Sequence, residues 1–316
     1  MGQAKKHARQ LDADFLNQPA GEVAAVLVRA QQAVFRRAWA HYLEAADDDP
    51  EALHDLRVEL RRLRVWLRLS RDVVRTRKST RRRLKALARA SSPMRDHEVM
   101  LDLLDRVARE PDCAEVAVRI GRLADERQAL VGGALEFDVK PGLKPRARKD
   151  SIPFARWFAS QVAMMAEQIE RDLSAGRSGF HAARIQVKHL RYLIEPLHEP
   201  FAVVEPMLAD LKTIQDWLGD LHDLVVFRAH LADYAGWLLT DALPAPLARP
   251  GKQARPLSQA FASVRDDTLR LSAWQSAQFE AMWRDWETHR PALEKRLYIA
   301  RNRLIGDIEK ADPEAN

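Results

Sequence analysis

The sequence predicts an all-α protein, and three observations carry that reading. Leucines recur at helical spacing through long charged stretches, glycine is scarce at 12 of 316 residues, and no alternating apolar run of strand length occurs. Almost no sheet is expected.

Taken in order, residues 1–19 read as a charged tail. "MGQAKKHARQLDADFLNQ" lacks the apolar core of a signal peptide and the Ser or Thr of a myristoylation signal. Helical period then runs from residue 20 to 308. It divides into a first half, 20–135, and a second half, 152–308, each read as three or four amphipathic helices. In the first half "DDDPE" supplies an aspartate cap and a proline to start a helix. Leu53, Leu56, Leu60, Leu63 and Leu67 form its seam. The next helix starts near "STRRRLKALARA", with Leu84 and Leu87 turned to the core. Residues 136–151 separate the halves, and "KPGLKPRARKDSIP" there is rich in proline and charge without a period. "LPAPLARPGKQARP", 243–256, reads as a loop within the second half. Trp274, Trp283 and Trp286 then follow a helical period and read as core packing. Residues 309–316 are a C-terminal tail.

Charge is the informative part of the composition. The net charge is +6, yet Arg57–Arg89 alone holds fourteen basic residues against Glu59 and Asp72, so that segment is +12 and the remainder −6. Concentrated positive charge on an otherwise acidic chain points to a polyanionic partner. His54, Arg57, Arg61, Arg64 and Arg68 repeat the leucine spacing one residue on, about 100° around the helix. Lys78, Arg82, Lys85 and Arg89 share one face of the next helix.

An internal repeat sharpens the reading. "FHAARIQVKHLRYLIEPL" repeats "LHDLRVELRRLRVWLRLS" at an offset of 127 residues. His54 pairs with His181, Arg57 with Arg184, Val58 with Ile185, Arg61 with Lys188, Leu63 with Leu190 and Arg64 with Arg191. The same offset pairs Leu84 with Leu211, Lys85 with Lys212, Leu87 with Ile214, Asp96 with Asp223 and Val99 with Val226. The basic row is what was duplicated.

Other chemistries find little footing. A single cysteine, Cys113, excludes an internal disulfide and a cysteine metal cluster, and it reads as a buried or incidental thiol. The histidines show no metal-ligand spacing, and neither a Gly-rich phosphate loop nor a nucleophile elbow is present. No catalytic residue, metal or cofactor is therefore expected. Asp96 and Asp223 are read as helix caps or partners of basic residues. No apolar run is long enough to cross a bilayer, and a cytoplasmic protein is expected.

At these residues the chain resembles the CHAD family, the "conserved histidine α-helical domain". The resemblance rests on "LHDLRVELRRLRVWLRL" and "FHAARIQVKHLRYLIEPL", is extended by "PMRDHEVMLDLL" and "TIQDWLGDLHDLVVF", and covers residues 20–308. It implies two helical bundles related by a pseudo-twofold, with a basic groove between them that binds inorganic polyphosphate without catalysis. It also implies a stand-alone module, since no triphosphatase domain of the kind that often precedes the family fits in the chain. One departure is that "SSPMRD" stands where the first-half turn usually carries Leu-Gly, whereas the second half keeps Leu218-Gly219.

A linear polyphosphate offers dense charge and acceptor oxygens, which arginine forks and lysine point charges in a row can meet. The expected contacts are His54, Arg57, Arg61, Arg64, Arg68, Lys78, Arg82, Lys85, Arg89, His181, Arg184, Lys188, Arg191 and Lys212. His54 and His181 each head a row, where a protonated ring would add attraction to a polyanion. Nucleic acid is the alternative partner. Against it, the rows carry few aromatics for base stacking, and Trp66 and Tyr192 are expected to pack between helices. Association with polyphosphate granules is the corresponding expectation for location.

Overall fold

The computed structural model describes residues 13–45, 49, 51–131, 144–148, 152–243 and 254–310. Residues 1–12 and 311–316 of the expected tails, most of the linker and residues 244–253 of the expected loop lie outside the described residues, as does the side chain of Asp96. The rest of the expected N-terminal tail is ordered, with a 3-10 turn at Ala13–Asn17 that buries Phe15 and Leu16, and the long last helix takes up 254–256 of the expected loop and 309–310 of the expected C-terminal tail. The fold is all-α. Helices run Ala20–Ala45 (α1), Glu51–Leu69 (α2), Lys78–Ala90 (α3), Ser92–Val107 (α4), Ala114–Val131 (α5), Phe154–Ser174 (α6), Phe180–Ile194 (α7), Val204–Ala242 (α8) and Ala254–Lys310 (α9).

The first half holds one helix more than its period suggests. At the "SSPMRD" turn Ser91 ends α3, with its N–H on Leu87 O at 3.0 Å, and α4 begins at Ser92. Pro93 sits at the second position of α4, where a missing N–H costs nothing. In the second half, α8 continues unbroken through Leu218 and Gly219. The departure from the family's Leu-Gly is thus a true helix break.

Sheet among the described residues is confined to one antiparallel pair, Val74–Arg75 (β1) with Arg146–Ala147 (β2), in the register Val74 to Ala147 and Arg75 to Arg146. This staples part of the linker against α1. Arg148 N–H bonds Val73 O at 2.9 Å. A Cβ at position 21 would lie 2.7 Å from Val73 O, so only glycine lets the strand lie this close.

Two compact units can be distinguished, each drawing on distant parts of the chain. The first gathers α1–α3, α6, α7, α8 as far as Leu218, and α9 from His289. The second gathers α4, α5, the rest of α8 and the earlier part of α9. Its core is Leu103, Leu104, Val107, Ile120, Phe227, Tyr234 and Leu271, and it contains the buried Cys113. Trp283 and Trp286 are buried and Trp274 packs on that core, as their period predicts.

In the first unit the seam leucines of α2 are all buried, from 6% exposed at Leu53 to 0% at Leu63. Leu84 and Leu87 are buried beneath α3. Burial contributes roughly 1.5–3 kcal/mol per leucine. That exceeds the few tenths of a kcal/mol each like-charged neighbour pair costs a helix, which is why so positive a helix holds. Positions 127 apart also share a burial state: Leu56 and Ala183, Leu60 and Val187, Leu84 and Leu211, and Leu87 and Ile214 are all buried.

Candidate anion-binding site

α2 starts where its sequence says it should. Asp49 Oδ1 accepts the Glu51 N–H at 2.9 Å, and His41 Nε2 lies 2.9 Å from the other carboxylate oxygen. The His41 contact, followed by the Glu51 N–H, holds the Asp49 carboxyl below its ordinary pKa. With the leucine seam turned inward, the row beginning at His54 is carried to the surface. His54, Arg57 and Arg61 are half-buried, while Arg64 and Arg68 are exposed. On α3, Lys78, Arg82, Lys85 and Arg89 are all exposed. On α7, His181 is exposed and Arg184, Lys188 and Arg191 are half-buried, and Lys212 is exposed on α8. All fourteen positions belong to the first compact unit.

Their partners divide them. Arg57 Nη1 donates to the buried Ser91 Oγ at 2.8 Å, tying α2 to the end of α3. Lys212 Nζ is held by Asp216 at 2.6 Å. Arg191 stacks over Tyr192, 5.2 Å from the ring centre, and its Nε is buried without a hydrogen bond among the described residues. Arg61, Arg64, Arg68, Lys78, Arg82, Lys85 and Arg89 have no acidic partner among the described residues. Partial desolvation and then the guanidinium groups of Arg61 and Arg89 pull the Arg64 pKa down, so charge from α2 and α3 is brought together. α3 also begins with Arg77 and Lys78 and has no acid in its first turn, the reverse of what its dipole favours.

Two features escape sequence reasoning. Arg62, next to the row, turns inward. Its Nη1 donates to the buried Glu59 at 2.5 Å and its Nη2 to Glu195, just beyond α7, at 2.8 Å. Gln31 donates to the second Glu59 oxygen at 2.6 Å, and Arg62 lies 5.5 Å from the Tyr192 ring centre. Burial opposes the Arg62 charge, but Glu195 and Glu59 outweigh it and raise the pKa. Arg62 is therefore a strut between α2 and α7. The one available signal was Glu59, a buried acid three residues before Arg62 on a basic helix.

The second feature is His189, whose pKa is pushed down to about 4 by burial, then by Arg68 and Lys188. At the repeat offset, residue 189 corresponds to Arg62 and Glu195 to Arg68. The ion pair Arg62–Glu195 thus has as its counterpart a histidine beside an arginine, which is tolerable only while the ring is neutral.

Trp66 and Tyr192 are 3% exposed, so neither offers a face for base stacking. No group of His, Cys, Asp or Glu suited to a metal ion occurs among the described residues, and no helix there is long and apolar enough to cross a membrane.

Comparison with solved structures finds a crystal structure of the CHAD domain from the plant Ricinus communis. It is 20% identical, with 88% of this chain and 94% of that one covered, at a TM-score of 0.52. PptA from Streptomyces chartreusis is 17% identical, covering 84% of this chain and 100% of that one, at a TM-score of 0.49. Among curated proteins none matches. The first likeness agrees with the all-helical fold described above. The CHAD domain model matches residues 29–232, well over half of the sequence, and this chain belongs to the CHAD family.

Proposed function

We propose that this chain binds inorganic polyphosphate without transforming it, through the basic rows of α2, α3 and α7 lining a shared groove. The observation that supports this most is the set of seven cations on α2 and α3 that have no acidic partner among the described residues. A helix surface that lacks its own counter-charges is completed by a ligand that brings them, and each phosphate of a linear chain brings one. His54, Arg57, Arg61, Arg64 and Arg68 span roughly 21 Å of α2 at 1.5 Å per residue, long enough for a chain of several phosphates and far longer than the three phosphates of one nucleoside triphosphate. His181, Arg184, Lys188 and Arg191 extend the field from α7, and Lys78, Arg82, Lys85 and Arg89 from α3. The role is that of a cytoplasmic module recruited to, or organising, polyphosphate granules.

The test is a competition at fixed salt between long-chain polyphosphate and single- or double-stranded DNA of equal total phosphate. Polyphosphate is expected to displace both, because the aromatics within the rows, Trp66 and Tyr192, are buried and give bases no face to stack on there. DNA binding as strongly would overturn the reading. Prolonged incubation is expected to release no phosphate.

A further inference from the structure

The duplicated basic surface is not symmetric in charge. The exposed α3 row Lys78, Arg82, Lys85, Arg89 has as its counterparts, 127 residues on, Glu205, Ala209, Lys212 and Asp216 of α8. All four counterparts are exposed, on a helix whose Leu211 and Ile214 are as fully buried as Leu84 and Leu87. The two faces are therefore presented alike, while the row's charge falls from four positive groups to two acids and one lysine. That lysine is spoken for, since Asp216 holds Lys212 Nζ at 2.6 and 2.8 Å. The neighbouring acid Asp210, the counterpart of Arg83, takes Arg296 of α9 in a two-pronged pair at 2.7 and 3.0 Å. On α8 the chain supplies the counter-charges that α3 lacks.

We infer that the anion site is polarised: the polyanion lies across α7, α2 and α3, and the acidic face of α8 repels it and limits where it can run. This rests on the polyphosphate reading above. A chain phosphate approaching Lys212 must displace Asp216 and pass Glu205, whereas one approaching Lys85 meets Arg82 and Arg89 on the same face. Like charge beside the path costs affinity, while unopposed cations add to it. The two repeat-equivalent lysines, both exposed, therefore contribute unequally.

The experiment is a titration of long-chain sodium polyphosphate at fixed salt against the unaltered chain and three variants, each checked by thermal melting. The variants are Lys85→Gln, Lys212→Gln and the double variant Glu205→Gln, Asp216→Asn. Lys85→Gln is expected to weaken binding about fivefold or more, and Lys212→Gln far less. The double variant is expected to bind about threefold or more tightly, because it removes two repelling carboxylates and releases Lys212. Equal losses at the two lysines, or no gain from neutralising the acids, overturn the polarity and leave polyphosphate binding standing. No binding by the unaltered chain removes the functional reading and the polarity with it.

Discussion

Arg64 tests whether an unpaired cation of the row serves a ligand or the fold. It stands one turn beyond Arg61, its charge opposed by Arg61 and Arg89, with no ion pair to an acid among the described residues. Glutamine keeps most of the stem and nearly the same helix propensity but removes the charge. In the free protein this relieves two like-charge contacts, each costing about 0.2–0.5 kcal/mol on a helix surface. The variant should be more stable by about 0.5 kcal/mol. For a chain of this size that raises the melting temperature by about 1 °C. In the complex it loses one charge-assisted contact, about 1.4 kcal/mol after allowing for exposure, or tenfold in Kd. The slope of log affinity against log salt should flatten by about 0.7, the single-strand value for one phosphate contact. Scanning calorimetry of the free protein and anisotropy titrations at several salt concentrations read both quantities. A lower melting temperature with unchanged affinity would refute the reasoning and make Arg64 a structural group.

Arg62→Ala should do the opposite. It leaves Glu59 buried with Gln31 as its one remaining partner among the described residues and removes the strut to Glu195, so thermal stability should fall by about 3 kcal/mol; a loss under about 1 kcal/mol contradicts the strut. His189, with a folded pKa of about 4 against about 6.5 when unfolded, binds fewer protons folded than unfolded between those values. Its contribution is thus fully present above about pH 6.5 and is lost as pH falls toward 4. His189→Gln should narrow the gap in melting temperature between pH 7 and pH 5; an unchanged gap shows that other groups set it. Polyphosphate near Arg68 and Lys188 should raise the His189 pKa, so binding should take up a proton near pH 5, read as a difference in heat between buffers of unlike ionisation enthalpy. Release of a proton contradicts that placement.

The leucine seam and its shifted basic row were legible because both follow one helical period, and burial of Leu53 through Leu67 returns that period. The rest was not, for physical reasons. Arg62 and Arg64 are chemically identical and two residues apart, and only tertiary packing turns one onto Glu59 and Glu195 and leaves the other outside. The pair of two-residue strands joins positions about 70 residues apart, too short to carry any period. The α3–α4 break falls in "SSPMRD", where the resemblance puts a turn, but Leu218-Gly219 at the matching place continues a helix, so the motif alone does not tell a break from a continuation. A chain-order reading produces consecutive halves, whereas the compact units are assembled from distant segments. The Lys212 pair is legible, since Asp216 stands four residues on, one helical turn away.

The most direct test of the proposed shared site is a pair of charge reversals at repeat-equivalent positions, Arg61→Glu on α2 and Lys188→Glu on α7, titrated with a short polyphosphate. If both rows serve one ligand, the unaltered chain binds one polyphosphate per molecule. Each reversal alone then weakens binding about 30-fold or more, because a carboxylate in a shared site repels the ligand wherever the other row holds it. Two equivalent sites in the unaltered chain, one surviving each reversal, would contradict the account.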